Sequence, residues 1–164
     1  MERSRVITWE DPSKSAVAAA ELAGIDFLQT VTDGKIPLSP ILQTLDFKVV
    51  GMEHGKAMFS FEPQEFHYNP IGSVHGGVIT AILDSAMGCS IHTLLPQGTG
   101  YTTLELKVNF IKAVTIKSGV LTATGKVIHS GSRTALVEAQ LTGSDGKLYA
   151  HATSTCLIFK HPTN

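Results

Sequence analysis

The sequence predicts an α+β domain in which a curved antiparallel sheet of about six strands wraps around one long central helix. Two patterns carry this. Between His75-Gly76-Gly77 and Pro96 lies an apolar run of about twenty residues, the length of a long globular helix. Around it are runs in which apolar and polar residues alternate, separated by short Gly- and Ser-containing turns that imply antiparallel pairing. A sheet with one apolar face needs a cover, and the long helix is the only large element on offer.

In chain order, residues 1–12 are polar. Ser13 or Ser15 caps a predicted helix running to Thr32, with Val17, Gly24, Leu28 and Val31 on one stripe and Asp33-Gly34 at its end. Pro37 and Pro40 form a connector, and Ile41 to Leu45 adds a helical turn. Strands are expected at Phe47–Val50 and Lys56–Glu62, with His54-Gly55 as the hairpin signal. Asn69-Pro70-Ile71-Gly72-Ser73 reads as the loop before the central helix, and Pro96, Gly98 and Gly100 end that helix. In Thr102–Ile111, Leu104, Leu106, Val108 and Phe110 alternate with Thr103, Glu105, Lys107 and Asn109, the clearest period of two in the chain. Gly119–His129, Arg133–Thr142 and Leu148–Phe159 follow, completing a sheet that reads mostly as a meander.

Composition narrows the function classes. The 164 residues suffice for one domain with a sizeable core. With 13 basic and 14 acidic residues there is no charge argument for nucleic acid or an anionic membrane. A membrane span is excluded by Asp84 in the middle of the apolar run and by its glycines, serines and His92. Low charge and slightly positive mean hydropathy suggest apolar surface hidden by oligomerisation. Cys89 and Cys156 lack metal spacing and read as free thiols in a reducing compartment. The N-terminus lacks the apolar core of a signal peptide, so a cytoplasmic location is expected.

The central helix holds the candidate chemistry. On a helical wheel Val78, Ile79, Ile82, Ala86 and Cys89 gather on one side, and Asp84 falls opposite, beside Gly77, Thr80, Gly88 and Ile91. A solvated face would carry Lys, Glu and Gln. Either Asp84 is one surface acid on an uncharged helix, or something packs over this face and encloses it for chemistry. At the helix start, Gly76-Gly77 either pack closely on the sheet or let a ligand approach unpaired backbone N–H groups that polarise a carbonyl. A carboxylate further along serves as general base toward water or as nucleophile. From Gly76 to Asp84 is about 12 Å along a helix. Both act on one substrate only if a two-fold dimer brings Asp84 of one chain against Gly76 of the other. No Gly-x-Ser-x-Gly elbow, zinc spacing, dinucleotide fingerprint or P-loop is present.

Asn69-Pro70-Ile71-Gly72-Ser73-Val74-His75-Gly76-Gly77 followed by Asp84 resembles the hot-dog-fold acyl-CoA thioesterases of the phenylacetate-degradation (PaaI-like) type. Gly100 to Phe110, Gly131-Ser132-Arg133 and Asp145 to Ala152 resemble the strands and turns of that family. The resemblance covers residues 25–160, leaving residues 1–35 as an N-terminal extension with a helix and 36–164 as the hot-dog thioesterase domain.

The resemblance implies hydrolysis of a small aryl- or acyl-CoA to acid and thiol, with no metal and no cofactor, since coenzyme A is part of the substrate. It implies homodimers with shared active sites, pairing further into dimers of dimers. Asp84 matches the catalytic carboxylate, Gly76 the donor to the thioester carbonyl with Gly77 its neighbour, and Asn69 and His75 the loop that shapes that end. Thr103 matches a Ser/Thr that places the attacking water; an ordinary strand residue is the alternative. Ser130, Gly131, Ser132, Arg133 and Lys112 are candidates for the phosphates of coenzyme A, with a solvated turn as the alternative for each. A non-catalytic acyl-CoA-binding or sensor protein and an acyl-thioester hydratase or dehydratase are the other readings; the intact Asp84 argues against the first, and the different catalytic pairs of the second against it.

Overall fold

Turns fix the first part of the architecture. In the computed structural model, which describes residues 2–161, β1 (Lys48–Glu53) and β2 (Lys56–Phe61) form a hairpin closed by His54 and Gly55, the latter at φ 76°. Likewise β4 (Leu121–Ser130), β5 (Thr134–Gly143) and β6 (Leu148–Lys160) run up and down through short turns. The central helix α4 (Gly76–His92) lies across β2, β4, β5 and β3 (Thr99–Phe110) on one face of the sheet. The result is a six-stranded antiparallel sheet around a long helix, as the sequence pattern predicts. Phe47, Phe59, Phe61, Ile82, Leu83, Met87, Ile91, Leu121, Val137 and Leu141 fill the core between them.

The meander is corrected at one strand. The sheet order is β1-β2-β4-β5-β6-β3, so β3 sits at an edge beside β6 and β2 pairs with β4. Only the short turns force neighbours to pair. The longer connections on either side of β3 do not, and residues 111–120, with a 3-10 turn at Ile116–Ser118, carry the chain back across the sheet.

The alternation in β3 is also interrupted. Its register with β6 slips between Thr103 and Glu105, a bulge that changes which face each side chain meets. Leu104 is 57% exposed instead of buried, while Leu106 and Val108 pack on the core. Phe110, also expected inside, is 55% exposed.

The single N-terminal helix is in fact two, α1 (Ser13–Glu21) and α2 (Gly24–Thr32), with Leu22 and Ala23 extended between them. Tertiary contact breaks it. Gly24 N–H donates to Leu95 O at 2.9 Å, and a Cβ on Gly24 would lie 1.8 Å from His92 O. The break lets α2 bury Gly24 and Leu28 while Val17 of α1 stays exposed. A five-residue helix, α3 (Pro40–Thr44), then leads into β1.

α4 is enclosed on more sides than its wheel suggests: Gly88 and Ile91, on the Asp84 side, are buried within the chain, and Val78 and Cys89 are partly exposed. Its ends are tied. His75 caps the start, its Nδ1 accepting from Gly77 N–H at 2.9 Å. Thr93 Oγ1 donates to Ser90 O and accepts from Gly55 N–H, fastening the other end to the β1–β2 turn.

Two buried histidines brace this frame. His67 accepts from Gln64 N–H at Nδ1, so its Nε2–H donates to Leu45 O, and its own carbonyl accepts from His75 N–H. His92 Nε2 is buried without a partner among the described residues. Burial holds both imidazoles below the ordinary value of 6.5; a backbone bond to Leu45 opposes it at His67, and His161 adds to it at His92. The unfolded chain therefore takes up protons that the folded chain resists, so stability is full above about pH 6.5 and falls as pH drops through that value. Thermal melts at about pH 7.5 and about pH 5.5 are expected to show the lower midpoint in acid; equal midpoints would contradict this linkage.

Candidate active site

The helix start and the helix middle present two polar loci. Gly76 N–H makes no hydrogen bond among the described residues, whereas Gly77 N–H is taken by His75. A cavity of about 300 Å³ opens there, bounded by Asn69, Gly76, Ile79, Phe110 and Lys112. Asn69 builds its wall: Oδ1 accepts from Ile71 and Ser73 N–H, and Nδ2 donates to Ser73 Oγ. The Phe110 ring lies over Gly76, with Cζ 3.2 Å from where a Cβ would be. Glycine here brings backbone and ring together, and Phe110 is a wall that its strand periodicity conceals.

Two turns further on, Thr103 Oγ1 donates to Asp84 Oδ1 at 3.0 Å. Asp84 Oδ2 accepts no hydrogen bond among the described residues, which leaves one carboxylate oxygen for a water or a carbonyl carbon. The carboxylate is partly buried. Thr103 reaches it because the β3 bulge separates its facing from that of Glu105. Neighbouring acids are held protonated: burial pushes the Cys89 thiol up to about 12, the Asp84 charge adding to it. Burial, then nearby acids including Asp84, holds the Tyr101 phenol well above 10.0.

Replacing Thr103 by Val removes the hydrogen bond that orients Asp84. Thiol release from an acyl thioester is expected to fall by about tenfold in kcat, with Thr103→Ser retaining most activity. Equal rates for the wild type and Thr103→Val would remove Thr103 from the site.

Gly131, Ser132 and Arg133 lie elsewhere. With Ser130, Pro96 and Lys160 they border a cavity of about 530 Å³ beyond the C-terminal end of α4. Gly76 stands at the opposite end of that helix, roughly 25 Å away for its 17 residues. One chain thus unites Asp84 with Thr103, and Asn69 with Gly76, but neither pair with the other, nor with Arg133. Lys112 lines the Gly76 cavity and not the one beside Arg133.

A long helix held in a curved antiparallel sheet, with a glycine-opened start and a mid-helix acid, defines a hot-dog-fold protein. The chain belongs to the thioesterase superfamily, whose family model matches residues 71–150, and it is a thioester hydrolase. It is 32% identical over 120 residues to a Saccharolobus solfataricus protein named as a candidate esterase, covering 73% of this chain and 84% of that one. It is 27% identical to the 1,4-dihydroxy-2-naphthoyl-CoA hydrolase of Listeria monocytogenes, over 72% of this chain and 94% of that enzyme. Its fold superposes on the crystal structure of a phenylacetic acid degradation-related protein from Ralstonia eutropha with a TM-score of 0.71, at 26% identity, covering 79% and 97% of the two chains. No helix among the described residues is long and apolar enough to cross a membrane.

Proposed function

We propose that this protein hydrolyses the thioester of a small aryl- or acyl-coenzyme A, using Asp84 of one subunit and Gly76 of another. The observation that carries it is the pairing of Thr103 with Asp84, while the unengaged Gly76 N–H lies about 12 Å away on the same helix. One substrate carbonyl cannot meet both on a single chain. Edge strand β3 supplies the means of dimerisation, since its free backbone edge and exposed Leu104, Phe110 and Ile111 suit pairing with a second copy. Two-fold pairing there sets the α4 helices antiparallel and brings each Asp84 toward the partner's Gly76. Such dimers pair again into tetramers. The Listeria relative, named as an acyl-CoA hydrolase, supports coenzyme A as the leaving group.

In the reaction, the Gly76 N–H donates to the thioester oxygen as negative charge gathers there, with the α4 dipole adding to the stabilisation. Asn69 and His75 hold that helix start in shape. Asp84 either takes the proton of a water placed by Thr103 or attacks the carbonyl carbon itself. The C–S bond breaks, and coenzyme A leaves as thiolate and is protonated; where Asp84 has attacked directly, water then hydrolyses the resulting Asp84–acyl anhydride, and by either route the free acid is released and the Asp84 carboxylate restored. Gly131, Ser132 and Arg133 at the far end of one α4 come beside the start of the partner's helix, where they meet the phosphates of coenzyme A. No metal or cofactor takes part, and the free Cys89 and Cys156 thiols fit a cytoplasmic location.

Purified protein is expected to release free thiol from a panel of acyl- and aryl-CoA esters and to have the solution mass of a dimer or tetramer. Acyl-CoA binding without thiol release would make it a carrier, and full activity as a monomer would remove the shared site. Single turnover in water labelled with heavy oxygen separates the two roles of Asp84, because attack by the acid leaves label in its carboxylate.

A further inference from the structure

Leu104 is the extra residue of the β3 bulge: Thr103 stands opposite Cys156 and Glu105 opposite Thr155, so two steps on β3 meet one on β6. Residues directly opposite each other share a face of the sheet. Cys156 is buried on the core side, and Thr103 across from it turns inward to Asp84. Leu106 and Val108 also pack on the core. Strict alternation cannot put Thr103 on their side, and closing the bulge with those two residues held in place would turn Thr103 outward. A bulge interrupts the backbone ladder, and here two side-chain bonds span the interrupted step. Ser154 Oγ donates to the Glu105 carbonyl at 2.7 Å, and Thr155 N–H donates to Glu105 Oε1 at 2.9 Å. Ser154 is fully buried, and its single hydroxyl proton goes to that carbonyl. In its 3.8 Å contact with Cys156 the thiol is therefore the donor. Glu105 is exposed, and its carboxylate makes no ion pair among the described residues.

We infer that Glu105 and Ser154 are positioning residues for the hydrolysis, clamping the bulge so that the Thr103 hydroxyl stays on Asp84. This rests on the reading in which Thr103 and Asp84 act on the thioester. Ser154 holds the Glu105 backbone from the core side, and the Glu105 side chain holds the β6 backbone. Both act through Thr103, which places the attacking water and not the substrate. Loss of either bond therefore lowers kcat and leaves KM in place.

The full chain is assayed as wild type, Glu105→Ala, Glu105→Gln, Ser154→Ala and Lys107→Ala, with benzoyl-CoA and butanoyl-CoA as substrates. Lys107 is an exposed residue of the same strand outside the clamp. Solution mass is measured for each variant, since β3 is the edge at which chains pair. Glu105→Ala and Ser154→Ala are expected to lower kcat by about fivefold with KM changed by less than about twofold. Glu105→Gln keeps an acceptor for Thr155 N–H and is expected to recover most of that loss, and Lys107→Ala to match the wild type. In the Thr103→Val chain, Glu105→Ala should cause no further fall. Urea unfolding at one protein concentration gives a readout independent of activity. Thr103→Val is expected to raise the unfolding constant by about tenfold in the wild type and by less than about twofold in the Glu105→Ala chain. A Glu105→Ala kcat equal to the wild type overturns the inference. So does an undiminished further fall in the Thr103→Val chain, or equal unfolding factors in the two backgrounds. If the wild type releases no thiol but the unfolding factors differ as stated, the clamp on Thr103 stands and the hydrolysis reading falls.

Discussion

Asp84→Asn is expected to lower thioester hydrolysis by about a thousandfold or more while leaving fold and oligomer intact. The carboxamide keeps an oxygen for the Thr103 hydroxyl, so the contact between helix and β3 survives, but it neither accepts a proton at neutral pH nor attacks a carbonyl. Thiol-release assays measure the loss; matched thermal melts and size-exclusion profiles show that it is chemical. Retention of more than about a tenth of the rate would end any role for Asp84 in catalysis.

The same variant tests the shared site. Gly76→Pro removes the proposed donor, yet proline is well placed at the first position of a helix, and His75, with ψ at 134°, already has the extended backbone that a following proline requires. Each variant alone is expected to be inactive. A mixed dimer of Asp84→Asn and Gly76→Pro chains has one site with both defects and one with neither. Reassembling the two together should therefore recover about a quarter of native activity. Sites built within single chains would recover nothing.

A large structural effect is expected at Gly125 on β4. A Cβ there would lie 2.3 Å from the carbonyl oxygen of Ala86 and 2.6 Å from Ser90 Oγ, which itself bonds to that oxygen at 2.7 Å. Both obstacles are buried in α4, one of them backbone, so neither can rotate away. Gly125→Ala must push helix and sheet apart across the core. A loss of about 3 kcal/mol or more is expected, a fall of roughly 6–12 °C in melting midpoint. At Gly76 the nearest obstacle is the tip of the exposed Phe110 ring, which can swing aside. Gly76→Ala should accordingly cost less than about 1 kcal/mol. Urea unfolding of the two variants measures both, and equal losses would show that the close approach at Gly125 is not what holds α4 to the sheet.

Thr103 shows where reading a sequence by periodicity reaches its limit. Alternation puts it on the face of Glu105 and Lys107, away from the helix; family resemblance puts it at the site. The bulge after Thr103 reconciles the two, because one extra residue changes the facing of the chain on either side. The same slip exposes Leu104 at the sheet edge. The helix break before Gly24 is of this kind too: nothing in Ser13–Thr32 forbids a continuous helix except a carbonyl of His92 far along the chain. The packing of Tyr101 against Gly88 is likewise a contact that no local pattern marks.

Residue order by itself determined the long helix, the hairpins and the distance between Gly76 and Asp84, because these depend on neighbours along the chain and on the fixed rise of a helix. Tertiary structure decided the edge position of β3, the approach of Thr103 to Asp84, and the seating of Tyr101 against Gly88. Those are contacts between residues remote in sequence, and their energies leave no mark on local periodicity.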